Sequence, residues 1–340
     1  MYVIQPKDVS EILSHYCKRE TISNIDLLQY YDTENKICMV ILAETVYHNA
    51  YVIKILDKNA VSVAREELQS AFSEVLRIHG LYVPKKYKNS SDVYGTMINF
   101  LDHSFYVTVE EYFGKDVRAI TPQSTAALGT LLGKMHKISM KCNCHLPYGA
   151  TYRALNEKRI SMQVIWGNVS QSNLPNDLIS RITNIHQRQI VRLAQIWKDL
   201  PCGAVHGDLG LVSNLMLYHQ EFGVIDFNLA GDEIFLSDLL ITWYSSRYNI
   251  DTVMLFPTQV LLDLKKVFFD SYLENRPFTE NEKKHFKEMS CIINGIYFNR
   301  FVSEIARAGF TKSLKHLFPL IEGSYFKPDI CVNLQEILQN

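Results

Sequence analysis

Two hydrophobic periods divide this sequence, and the change from one to the other constrains the fold more than any other feature. Up to residue 110, short runs rich in β-branched and aromatic residues recur between polar turns, at 25–31, 37–42, 51–56, 94–100 and 105–110. A single helical stretch, 62–79, falls after the third run. Leu68, Phe72, Val75, Leu76 and Ile78 form its apolar face, Gly80 is a stop and Pro84 follows. The pattern predicts a five-stranded antiparallel sheet with one inserted helix, Lys54 inside the third strand, and an amphipathic helix over 6–19 ahead of it. After Gly114 the period becomes helical. Helices are expected at 124–138 (Ser124 as cap), 177–200, 236–248, 259–274, 280–308 and 314–321. The expected class is α+β in two parts, 1–112 and 113–340, joined by a short hinge over 112–114.

One stretch, 204–231, breaks the helical part. Two short apolar runs, 215–217 and 222–225, flank a His219-Gln220-Glu221 turn, the pattern of a tight β-hairpin. His206, Asp208, Asn214 and Asp226 sit just outside those runs. Taken singly, Asp208 reads as a turn residue and Asp226 as a strand terminator. Two carboxylates and a carboxamide at one end of a small hairpin make a hard-oxygen group, suited to Mg²⁺ carrying phosphates. Phosphoryl transfer needs positioned phosphates, metal ions to absorb charge, and a base for the attacking hydroxyl. Lys54 is placed to hold phosphates of ATP, Asp226 and Asn214 to ligate Mg²⁺, and Asp208 to accept the hydroxyl proton.

Composition narrows the setting. The 340 residues are 47% hydrophobic and 21% charged, with a net charge of −1, so no broad field favours nucleic acid or an anionic membrane. No apolar run reaches the length of a membrane span and the first residues carry no signal-peptide core, so a cytoplasmic location is expected. Seven cysteines, an odd number, fit reduced thiols better than a disulfide framework. Cys142, Cys144 and His145 lack a second ligand pair at zinc spacing and read as a loop.

His206-Gly207-Asp208-Leu209, Asn214 and Asp226 in VIDFNLAGDEIFLSDL, together with Lys54 in YVIKIL, the HGLYVPK segment and LGTLLGKMHKI, resemble the aminoglycoside phosphotransferase/choline kinase family. Within it the chain looks most similar to the homoserine kinase-like branch, through the opening helix, the Glu34-Asn35 pair and the RPFT segment before Glu280 and Glu282. The resemblance implies a two-lobed protein-kinase-like fold: a small antiparallel nucleotide-binding lobe, and a larger, mostly helical lobe carrying the hairpin. It implies an ATP-dependent kinase of small molecules with Asp208 as catalytic base and His206 bracing its loop. It further implies Asn214 and Asp226 as metal ligands, Lys54 paired with an acid of the following helix (Glu66), and Glu110, Glu111 and Tyr112 as an adenine-reading hinge. The acceptor would be an amino alcohol, a hydroxy amino acid or an aminoglycoside; a homodimer is left open.

Two departures motivate the alternative of an inactive, nucleotide-binding pseudokinase. Asp208 and Asn214 are six positions apart, one more than the family pattern, so either the loop absorbs a residue near Gly210 or Ser213 faces the metal. The former is favoured because Asn214 directly precedes the apolar strand. The loop 32–36 contains no glycine to cradle phosphates. A protein kinase is disfavoured, since no Ala-Pro-Glu sequence follows Asp226. Among the remaining polar residues, Asp232 and Glu233 are candidates for a cationic substrate amine, and Arg300 for a substrate carboxylate. Asp238 is expected to cap a helix or brace the catalytic loop, and His136 to pack between helices. Arg247 reads as a surface ion-pair residue, and two of Glu66, Glu67 and Glu74 as a solvated helix face.

Overall fold

A computed structural model describes residues 4–16, 20–33, 36–100, 103–150, 154–155, 160–167, 176–211, 213–309 and 311–328. The Glu34-Asn35 pair lies outside them. Contacts divide the chain into two compact units, Met1–Asp116 with Met216–Asn228, and Val117–Leu215 with Leu229–Asn340. The expected cut at 112 thus falls a few residues early, and most of the hairpin belongs with the first unit rather than with the helical part.

In the first unit, helix α1 (Pro6–His15) precedes strands β1 (Ile22–Thr33), β2 (Lys36–Thr45) and β3 (Ala50–Asp57), then helix α2 (Val63–Ile78), then β4 (Gly95–Phe100) and β5 (His103–Glu111). All neighbours pair antiparallel, as the sequence pattern predicts, and the structure adds the order β1-β2-β3-β5-β4. Alternation along β3 sends Tyr51, Ile53 and Ile55 into the core against Val9, Ile12 and Leu13 of α1, and turns Lys54 to the other face. The Tyr16 hydroxyl closes this side by donating to the Val107 carbonyl at 2.7 Å.

The inner face of α2 differs from expectation. Phe72 and Leu76 are buried, but Leu68 and Ile78 are 38% and 63% exposed, while Gln69, Ser70 and Ser73 turn inward. The reason is what the helix covers: Gln69 donates to the Asn228 carbonyl and Ser70 accepts from Lys86, so part of this face meets polar partners. Glu67 is no solvated residue either. Its carboxylate accepts from the amides of Tyr94 and Gly95 and from the Tyr106 hydroxyl, anchoring the start of β4.

The hairpin forms from β8 (Leu215–Tyr218) and β9 (Glu221–Val224), with β8 also pairing to β6 (Lys115–Asp116). His219 and Gln220 have φ of 44° and 71°, the two-residue turn with both φ positive that matches strand twist, so Glu221 opens the second strand instead of sitting in the turn.

The second unit is mostly helical: α3 (Pro122–Lys141), α4 (Met162–Trp166), α5 (Asn176–Trp197), α6 (Phe235–Arg247), α7 (Ile250–Leu255), α8 (Thr258–Asn275), α9 (Glu280–Arg307) and α10 (Thr311–Ile321). Thr121, not Ser124, caps α3; Ser124 is its reciprocal partner in a capping box. Two strands without a strong sequence signal, β7 (Cys202–Val205) and β10 (Gly231–Ile234), pair antiparallel. They bracket the stretch singled out above. No helix among the described residues is long and apolar enough to cross a membrane.

Candidate active site

The candidate residues fall into two groups, one within each unit. In the first unit, Lys54 Nζ lies 3.0 Å from Asp226 Oδ1 and 3.5 Å from Glu110 Oε1. Burial opposes the lysine's charge, but the two carboxylates outweigh it and hold its pKa above the ordinary value. Asp226 sits at φ 64° directly after the hairpin, a left-handed conformation that Asp tolerates better than most residues, and its side chain keeps 33% exposure.

A second lysine completes the group. Lys86 Nζ is 3.8 Å from Glu110 Oε2 and donates to Ser70 Oγ at 3.2 Å. Its pKa is lowered, because burial outweighs the attraction of Glu110. Glu66, expected to pair with Lys54, makes no ion pair with it. Its pKa is raised by burial, against the pull of Lys86 and Lys54. Glu110, on the strand that pairs with β3, takes the pairing position directly. Residues 110–112 carry contacts within the chain as well. The Glu110 carboxylate belongs to the lysines, the Glu111 amide donates to the Lys85 carbonyl at 2.8 Å, and the Tyr112 amide donates to the Ala50 carbonyl at 3.1 Å. The amides of Glu111 and Tyr112 are therefore committed within the chain. Among the described residues the amide of Phe113, the next along, has no such acceptor.

In the second unit, β7 delivers His206 into a fully buried position, where its Nδ1 accepts the Asp208 amide at 3.3 Å. A ring accepting at that atom holds the backbone amide of Asp208. Gly207 turns the chain at φ 77°, where a Cβ would lie 2.9 Å from the Leu229 carbonyl. Asn214, at φ 61°, donates through Nδ2 to the Asp208 carbonyl at 2.8 Å and to Asp208 Oδ2 at 3.2 Å. Gly210 and Ser213 form an isolated antiparallel bridge, and Ser213 is exposed. A cavity of about 260 Å³ adjoins Asp208, and Arg300 of α9 also lines it.

Other sequence-selected residues lie elsewhere. Glu233 is 2% exposed and accepts the Ile234 amide at 2.7 Å, so it does not face a substrate. Asp232 accepts from the Leu146 amide and contacts His145 Nδ1 at 2.7 Å, fastening the 142–146 loop to β10. Both lie on a strand that the sequence reading did not contain. Arg247 is 1% exposed, its guanidinium over the Tyr248 ring, and is no surface residue. Asp238 pairs with the fully buried His136 at 2.9 Å, and the other ring nitrogen of His136 meets the Tyr272 hydroxyl. Lys86 was missed. Its only sequence signal is its position one residue beyond the HGLYVPK segment.

A sheet with one inserted helix, a helical unit, and His206, Asp208 and Asp226 placed just after β7 and β9 define a small-molecule phosphotransferase of the protein-kinase-like fold. The model of the phosphotransferase enzyme family matches residues 42–264, and the chain belongs to that family. It is 26% identical over 243 residues to a homoserine kinase from Zymomonas mobilis subsp. mobilis, covering 70% of this chain and 69% of that protein. Among solved structures it is similar to the amicoumacin kinase hAmiN in complex with AMP-PNP, Ca²⁺ and Ami (TM-score 0.64, 17% identity, 92% of this chain and 91% of that one). A microcompartment-associated aminopropanol kinase also shares the fold (TM-score 0.61, 14% identity, 94% and 95% covered). The inactive alternative finds no support in these relatives.

Proposed function

We propose that this chain is an ATP- and Mg²⁺-dependent kinase that phosphorylates the hydroxyl of a small metabolite, in the class of amino alcohols, hydroxy amino acids and aminoglycosides. The observation that carries the reading is the Lys54–Asp226 contact. Residues 172 positions apart in the chain meet at 3.0 Å, one on a strand and one at a left-handed turn. A core ion pair does not need a partly exposed aspartate in a strained conformation, whereas a ligand site does.

Each group supplies hard oxygen donors of the kind Mg²⁺ takes: in the first unit the partly exposed Asp226 carboxylate, and in the second the side chain of Asn214, whose amide nitrogen donates to Asp208. Held by these residues, as the family resemblance implies, Mg²⁺ would neutralise charge developing on the transferring phosphoryl group. Lys54, steadied by Glu110, would hold phosphate oxygens of ATP. Asp208, fixed through its amide by His206 and through its carboxylate by Asn214, would take the acceptor's hydroxyl proton. That oxygen bonds to the γ-phosphorus as the bond from the γ-phosphorus to the bridging oxygen breaks, giving a phosphate ester and ADP.

Asp208→Asn is expected to lower kcat by about 10²- to 10⁴-fold, the range for a positioned base, with the melting temperature little changed. Asp226→Asn is expected to abolish turnover and also the Mg²⁺ dependence of the melting shift that ATP produces. Phosphoryl transfer at the wild-type rate by Asp208→Asn would end the proposed mechanism.

A further inference from the structure

Arg300 occupies an unusual place on its helix. Of residues 289–303 of α9 it alone is not buried, and the surface it reaches is the cavity beside Asp208. Its guanidinium lies over the Tyr297 ring, one turn back, at 5.2 Å from the ring centre. Stacking of this kind orients the planar fork while leaving its N–H groups available. Among the described residues it makes no ion pair. A guanidinium held in place, half-buried and without a carboxylate is an incomplete arrangement.

The rest of the cavity wall sharpens the point. Among the described residues Asp208 is its one other charged group. Several neutral polar groups are already engaged. Ser246 Oγ accepts the Leu211 amide and donates to the Thr242 carbonyl, and Asn249 Oδ1 caps α7. An ammonium group would find no carboxylate here except the base itself. A carboxylate would find Arg300. The volume, about 260 Å³, lies just below the roughly 300–1,000 Å³ usual for drug-sized ligands, which suits a compact metabolite better than a multi-ring glycoside.

We infer that the acceptor is a small hydroxy acid, with its hydroxyl at Asp208 and its carboxylate held by Arg300. The inference rests on the kinase reading and selects, within its substrate classes, the acid-bearing one. Amino alcohols and aminoglycosides lack the group that Arg300 would bind.

The test compares acceptors that differ only in the carboxylate: homoserine against 3-amino-1-propanol, and threonine against 1-amino-2-propanol. Phosphate-ester formation from ATP is followed with the wild-type enzyme, Arg300→Gln and Arg300→Lys, and folding is controlled by melting temperature. The wild type is expected to favour the acid of at least one pair. Arg300→Gln is expected to lower kcat/KM for that acid by about 10- to 100-fold, chiefly through KM, and to leave the amino alcohol unaffected. Arg300→Lys, keeping the charge without the fork, should recover part of the loss. Preference of the wild type for the amino alcohols, or an unchanged preference in Arg300→Gln, overturns the carboxylate assignment while leaving a kinase. Transfer to no acceptor overturns the kinase reading beneath it as well.

Discussion

His186 offers a quantitative test of the second unit. It lies on α5, 5% exposed, with Nδ1 2.6 Å from the Tyr325 hydroxyl and the two rings edge to face at 5.8 Å. Burial pushes its pKa from 6.5 down to about 4. Below pH 6.5 the unfolded chain therefore binds a proton that the folded chain refuses until about pH 4. Stability from the neutral ring is fully present above the unfolded pKa and is lost as pH falls through this window. Between pH 7.5 and 5.0, linkage with these two pKa values gives a loss of about 2 kcal/mol from this residue alone. His136, whose pKa burial also lowers, adds to the acid sensitivity with the same sign, so the wild type's own pH profile does not isolate His186. A difference does. His186→Gln is expected to be less stable than the wild type at pH 7.5, by about 1–3 kcal/mol for the lost packing and hydrogen bond. Its deficit should shrink by about 2 kcal/mol at pH 5.0. Urea unfolding followed by tryptophan emission reads the correct unit, because Trp166, Trp197 and Trp243 all belong to it. Parallel pH profiles for the two proteins would refute the argument.

Two further substitutions test the fold around the site. Gly114→Ala places a Cβ at φ 65° and 2.3 Å from the Leu217 carbonyl, and should cost about 2–4 kcal/mol, read as a fall in melting temperature; a change below about 1 kcal/mol contradicts the close approach. Asp232→Asn weakens a half-exposed anchor of the 142–146 loop, so a loss of about 1 kcal/mol and an unchanged KM for the acceptor are expected. A marked rise in that KM would return Asp232 to the substrate-binding role first read for it.

The legible parts of the sequence were those whose cause is local. The five antiparallel strands around one inserted helix follow from alternation and turn spacing, and the hairpin from two apolar runs on either side of His219 and Gln220. The grouping of His206, Asp208 and Asn214 follows from their closeness in the chain. What escaped notice depends on partners far away in sequence. β10 carries Asp232 and Glu233, two residues that look soluble and available; only pairing with Cys202–Val205 turns one into the core and fastens the other to His145.

The same distinction explains the lysine group, and there it bears on how the site holds its charge. Periodicity on α2 presents Glu66, Glu67 and Glu74 as equals, yet their partners separate them: Glu67 goes to β4, Glu74 to Arg77, and Glu66 is buried within the field of Lys54 and Lys86. Glu110 is hidden because a carboxylate on an otherwise apolar strand has no local sign of its purpose. It faces Lys54 only because β5 pairs with β3, and it shares itself with Lys86 because residue 86 bridges to it. Two buried lysines side by side repel, and Glu110 between them offsets that repulsion while leaving Lys54 within reach of Asp226. Neutralising Glu110 would therefore disturb both lysines at once, whereas neutralising Glu66, which makes no close contact with Lys54, would shift them only through the field. Contact rather than helix position determines which acid supports Lys54.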